Sequence, residues 1–171
     1  MVRLLTGTAL HRLLVERHRN DHLTVAGTSA GASALGMLMP CGDIDDRGDA
    51  LDLCDDPLPG GLGLLAGVVI DQHFTQRRRL ARLVGFVSRQ GGLVGMGIDE
   101  DTAAVIHPGR SLKVVGSGSI ALVDGRCAQR SVAEAPVTSL RNVSFHCAHA
   151  GTLLHAATGP SDSCGLAAFL P

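Results

Sequence analysis

The chain has 171 residues, of which 45% are hydrophobic, and a formal net charge of −1; it is long enough to bury a core as one domain, and its balance of charge excludes wholesale nucleic-acid binding. No apolar run approaches the roughly 20 residues that span a bilayer and the N-terminus lacks a signal-peptide pattern, so a cytoplasmic chain without membrane attachment is expected. The five cysteines, Cys41, Cys54, Cys127, Cys147 and Cys164, include no C-x-x-C pair, which argues against a disulfide framework and for a reducing compartment.

From Val2 to about Arg19, Leu10, Leu13 and Leu14 recur at helical spacing between Arg12, Glu16, Arg17 and Arg19, predicting one amphipathic helix. Leu23 to Ala26 is a short apolar run that fits a buried strand, and Gly31 to Met39 is small and apolar enough for a helix. Pro40 to Gly61, with seven aspartates between Asp43 and Asp56, reads as a long irregular loop. Leu64 to Ile70 is a second strand. Thr75 to Gln90 is helical, with Leu80, Leu83, Val84 and Val87 inward and the arginines outward. Leu93 to Ile98 is a third strand. Beyond it, Ala103 to His107, Leu112 to Val115 and Ile120 to Val123 suggest β-hairpins, and Val137 to Leu154 adds a strand or two. With 22 glycines and few aromatics, the order predicts an α/β fold: a mostly parallel sheet flanked by helices, with C-terminal antiparallel hairpins.

Such sheets carry their sites at the carboxyl ends of the strands. Ser29, Asp71 to His73 and Asp99-Glu100 each follow a predicted strand. Ser29 lies in Gly27-Thr28-Ser29-Ala30-Gly31, where strand, tight turn and helix would lift the serine to the head of the sheet and aim the Ala30 N–H at a developing oxyanion. A serine hydroxyl needs a base, and His73, between polar neighbours at a strand end, is the candidate. His11, His18, His22 and His107 fall on a polar helix face or in turns. Glu100 is the candidate acid to orient the imidazole, with Asp99 and Asp101 left open beside it. Arg78, Arg79 and Arg82 lie one turn apart or less and form either a solvated face or a cationic clamp for a substrate carboxylate.

Two metal readings are set aside. Asp43 to Asp49 resembles the start of a calcium loop, but Arg47 and Cys54 stand where oxygen ligands belong. His146 and Cys147 would point to opposite faces of a strand. No metal or cofactor is expected.

Gly27-Thr28-Ser29-Ala30-Gly31-Ala32, Asp71-Gln72-His73-Phe74 with Arg77, Arg79 and Arg82, and Gly97-Ile98-Asp99-Glu100 together resemble cyanophycinase, a family of serine peptidases with a class I glutamine amidotransferase-like fold. The resemblance implies Ser29 as nucleophile, His73 as general base and Glu100 as orienting acid. It implies Asp71, Gln72, Arg77, Arg79 and Arg82 as residues lining the substrate site. The implied substrate is cyanophycin, a poly-aspartate backbone bearing arginine on its side chains, and the implied products are β-aspartyl-arginine dipeptides. Members of the family carry an N-terminal part with the first strands of the sheet. Residues 1–171 are therefore expected to form a single, incomplete peptidase domain, weakly active or inactive alone and prone to association, with a homodimer as one assembly. An aspartyl dipeptidase of the same superfamily and a non-catalytic remnant that binds the polymer or a partner are the alternatives.

Overall fold

The computed structural model describes residues 2–40, 59–90, 92–107, 110–131 and 139–155. Most of the acidic loop, including its calcium-loop-like stretch, lies outside them.

The expected first helix is two helices, α1 (Val2–Leu5) and α2 (Ala9–Asn20). Gly7, at φ 80°, breaks the helical path, and Thr8 then caps α2 by accepting a hydrogen bond from the His11 N–H at 3.2 Å; periodicity carries no record of such a break. No residue of α2 is buried. Leu10 and Leu13 are 62% and 48% exposed, so the amphipathic face meets no core among the described residues. A contact of 3.0 Å between His11 Nε2 and the Leu62 carbonyl ties α2 to the rest of the chain.

The predicted strand from Leu23 to Ala26 is not one. Residues 22–28 have no ladder partner among the described residues and are mostly exposed; an apolar run becomes a strand only when a neighbouring strand takes its backbone groups. Helix α3 (Ala30–Leu35) is also shorter than expected, because the chain turns at Gly36 into strand β1 (Gly36–Leu38), which pairs in parallel with β2 (Leu65–Gln72). A Cβ on Gly36 would press on the Val68 carbonyl at 2.8 Å.

Helix α4 (Leu80–Arg89) follows β2 and leads to β3 (Val94–Ile98). It begins five residues later than expected, after a run of turns over residues 73–79. Leu83 and Val87 are inward as predicted, whereas Leu80 is exposed. The arginines are not all outward either, since Arg79 is buried.

The hairpin half contains β4 (Thr102–His107), β5 (Ser111–Gly116), β6 (Ser119–Asp124), β7 (Gln129–Ser131), β8 (Ser139–Arg141), β9 (Ser144–His149) and β10 (Leu153–His155). Strands β4 and β5 pair as a hairpin, and β10 adds to β5. Strand β6 instead leaves its neighbour β5 to pair antiparallel with β3. The reason is its burial: every residue of β6 is buried, which suits the middle of a sheet covered on both faces and not a half-exposed hairpin.

The main sheet has the order β1-β2-β3-β6-β9. Its pairings make four strands run one way and β6 the other. One face, with Val69, Ala121 and Val123, packs on Leu83, Phe86 and Val87 of α4. The opposite face, with Val68, Ile70, Met96, Ile120 and Leu122, packs on Leu112 and Val114 of the three-stranded sheet, with α3 alongside. The architecture is mixed α/β in three layers.

Cys127 is disulfide-bonded, a pairing that linear spacing, which argues only against a disulfide framework, does not register. Cys147 is free and exposed. No described helix is long and apolar enough to cross a membrane.

Candidate active site

Strands β2 and β3 are parallel neighbours in which Gln72 stands opposite Ile98. The residues just beyond their carboxyl ends, His73 and Glu100, therefore emerge side by side. Ser29 reaches the same place from the turn before α3. Its Oγ lies 3.1 Å from His73 Nε2, and His73 Nδ1 lies 2.8 Å from Glu100 Oε1. A carboxylate only accepts, so Nδ1 carries the proton and donates to Glu100. Nε2 is left to accept from the Ser29 hydroxyl.

Local geometry sets each member. Ser29 sits at φ 51°, ψ −125°, a conformation that costs about 1–3 kcal/mol in a non-glycine residue. Gly27 makes this turn feasible: a Cβ there would collide with the Gly31 carbonyl. The Gly31 N–H is taken by the Thr28 carbonyl at 2.8 Å. The Ala30 N–H has no hydrogen-bond partner among the described residues, so it is available to an oxyanion beside Ser29.

His73 is also left-handed, at φ 50°. It is held by Phe74, whose N–H donates to the Ile98 carbonyl at 3.1 Å and whose ring lies where a Cβ on Gly97 would be. The side chains of His73 and Glu100 are 28% and 49% exposed. The site thus lies open at the surface.

Of the three acids, the structure brings Glu100 to His73. Asp99 faces elsewhere: Oδ1 accepts from the Thr75 N–H and hydroxyl at 3.0 and 2.7 Å, and Oδ2 accepts from the Ser119 N–H and hydroxyl at 3.0 and 2.7 Å. Burial acts to raise the Asp99 carboxyl, but the bonds from Ser119 and Thr75 outweigh it and hold it below the usual aspartate range. Asp101 is exposed, in a left-handed turn.

The arginine clamp closes on the protein itself. Asp71 shares the α4 face of β2 with Val69 and is fully buried. Arg82 donates to both of its carboxylate oxygens at 2.9 and 3.0 Å. Arg79 donates to Asp71 at 3.1 Å and to the Gln72 carbonyl at 2.7 Å. Burial pushes the Asp71 carboxyl above the usual range, against the pull of Arg82 and Arg79. Arg77, by contrast, is exposed, and its N–H donates to the His73 carbonyl at 3.0 Å. The Gln72 Oε1 is buried and has no hydrogen-bond partner among the described residues.

Two neighbours escaped notice in the sequence. Gln76 Oε1 accepts from the Glu100 N–H at 3.2 Å, and Thr75 binds Asp99. The signal was only a polar Thr-Gln pair directly after His73-Phe74.

Away from this edge, His146 and Cys147 alternate along β9, and no group of three metal-ligating side chains occurs among the described residues.

Residues 1–114 match the family model for peptidase family S51. The chain is 35% identical to the cyanophycinase of Geminocystis herdmanii over 148 residues, covering 84% of this chain and 53% of that one. It is 40% identical to the cyanophycinase of Trichormus variabilis over 121 residues, or 71% of this chain and 40% of that one. It is 43% identical to the cyanophycinase of Synechococcus elongatus over 102 residues, covering 60% and 31%. The chain spans about half or less of the length of these relatives.

Proposed function

Given that the chain belongs to peptidase family S51, we propose that it carries the catalytic relay of a serine exopeptidase whose substrate is cyanophycin. The observation that carries this reading is the continuous path from Ser29 Oγ through the His73 imidazole to Glu100, with contacts of 3.1 and 2.8 Å.

In the proposed reaction, His73 Nε2 takes the Ser29 proton as Oγ attacks the scissile carbonyl carbon. The carbonyl oxygen becomes an oxyanion facing the Ala30 N–H. Imidazolium, held by Glu100, then gives its proton to the leaving nitrogen as the C–N bond breaks, leaving an ester on Ser29. Water, deprotonated by His73, hydrolyses that ester. General base catalysis of this kind contributes roughly 10²–10⁴-fold.

The substrate assignment rests on the names of the relatives and on charge. Arg77, exposed beside the relay, suits an aspartyl carboxylate, and Gln72 supplies a polar group next to His73. Asp71, Arg79 and Arg82, buried or part-buried and satisfied by one another, stand behind the strand end that presents His73. Incubation with purified cyanophycin and mass analysis of the products tests the reading: β-aspartyl-arginine from the wild type and none from Ser29→Ala is the expected result. Wild type that yields no dipeptide would overturn it.

A second reading is favoured by the exposure of residues 22–28 and of the relay. On it the chain binds the polymer without cleaving it, and sedimentation with insoluble cyanophycin in the absence of product formation would distinguish it.

A further inference from the structure

The turn that presents His73 and the turn that presents Glu100 are joined by one buried carboxylate that takes no part in the relay. Asp99 immediately precedes Glu100, and Thr75 lies two residues beyond His73. Asp99 accepts four hydrogen bonds, two from Thr75 and two from Ser119, and so fills the roughly four acceptor positions of a carboxylate. Its own N–H donates to the Ser119 carbonyl at 3.2 Å, which seats it on β6. Around it, Gln76 holds the Glu100 N–H, and Thr102 Oγ1 donates to the Glu100 carbonyl at 2.9 Å.

We propose that Asp99 is a positioning residue for the relay: it fastens the His73 turn, through Thr75, to the β3–β6 edge that carries Glu100, and so fixes the distance between imidazole and carboxylate. This rests on the reading of Ser29, His73 and Glu100 as a relay. Two further observations support it. His73 and Asp101, on either side of the knot, are both held near φ 50°, and strained conformers persist only where their surroundings over-determine them. The Glu100 side chain is half exposed, so solvent does not confine it. Apart from the His73–Glu100 contact itself, the ties among the described residues that bridge the two turns are Phe74 to Ile98, Gln76 to Glu100, and Thr75 to Asp99. Only the last is made by a charged group, which roughly doubles a hydrogen bond's strength.

The test reads the imidazole directly. Long-range ¹H–¹⁵N correlations report which His73 nitrogen is protonated, and the partner of the other nitrogen sets that tautomer. Wild type and Thr75→Ser, which keeps the hydroxyl, are expected to hold the Nδ1–H form. Thr75→Val and Asp99→Asn are expected to lose it to a mixture of tautomers, with labelling of Ser29 by a fluorophosphonate slowed on the order of 10²-fold, the scale of a group misplaced by about 1 Å. Arg126→Ala, at the opposite end of β6 where Arg126 pairs with buried Asp124 at 2.6 Å, lowers stability without touching this edge and is expected to keep the wild-type tautomer. If Asp99→Asn does not fold, Thr75→Val decides. Wild-type tautomer in Thr75→Val, or its loss in Arg126→Ala to the same degree, would overturn the proposal. Should the tautomers behave as expected while no variant labels, the peptidase reading fails and the positioning role stands.

Discussion

His73 Nδ1 lies 2.8 Å from a Glu100 oxygen, while the adjacent Asp99 has both of its oxygens occupied by Thr75 and Ser119. The choice between neighbouring acids is thus made by prior engagement, and it has a kinetic consequence. Glu100→Gln is expected to slow fluorophosphonate labelling of Ser29 by about 10⁴-fold, as loss of an orienting carboxylate does in other relays. Asp101→Asn, in an exposed left-handed turn that asparagine tolerates, is expected to label at the wild-type rate.

The two glycines flanking Ser29 are unequal. A Cβ on Gly27 would meet the Gly31 carbonyl, whereas one on Gly31 would meet nothing within 4 Å. Gly27→Ala is expected to open the turn, with loss of Ser29 labelling and lower thermal stability. Gly31→Ala, inside α3, is expected to be neutral or more stable by about 0.5–1 kcal/mol, the helix preference of alanine over glycine. Thermal denaturation of both variants checks this.

Asp71, Arg79 and Arg82 are expected to act on stability before substrate. Asp71→Ala leaves buried Arg79 and part-buried Arg82 without their carboxylate, a loss of about 3–5 kcal/mol for a broken buried pair. Urea denaturation measures it. Arg77→Ala is expected to stay within about 0.5 kcal/mol of wild type and to weaken sedimentation with cyanophycin.

Stability against pH follows from the buried carboxyls. At Asp124, burial acts to raise the carboxyl but is outweighed by the bonds from Arg126, so it lies below the usual range; Asp99 is lowered likewise. A lowered folded value gives stability that is present above the unfolded value and lost as pH falls through the folded one. Asp71, raised by burial, has the opposite sign: its contribution is present below the unfolded value and lost as pH rises through the folded one. Asp124→Asn is therefore expected to lose less stability than wild type between pH 5 and about pH 2, as read by urea midpoints across that range. A midpoint curve as steep as that of wild type would contradict the assignment.

The strands bearing His73 and Glu100 were legible because Leu64 to Ile70 and Leu93 to Ile98 are short apolar runs ending in polar residues, a pattern with few alternatives. The alternation of β4 and β5 was legible for the same reason. Four features were hidden because they depend on contacts between distant segments. Arg79 and Arg82 read as either a solvated helix face or a clamp for a substrate carboxylate, since their partner, Asp71, lies on β2. Strand β6 read as a hairpin arm, although its uninterrupted burial places it between β3 and β9. Leu23 to Ala26 read as a strand from composition, yet pairing is a property of neighbours. Asp99 was recognised as an acid near His73, but its hydrogen bonds to Ser119, 20 residues further on, could not be read from spacing.

The central claim is that His73 activates Ser29. It is tested most directly by treating the intact protein with a fluorophosphonate and locating the adduct by peptide mass, in wild type and in His73→Ala. A single adduct on Ser29 that forms about 10²–10⁴-fold more slowly in His73→Ala is the expected result. An unlabelled wild type, or Ser29 labelled equally fast in both proteins, would contradict it.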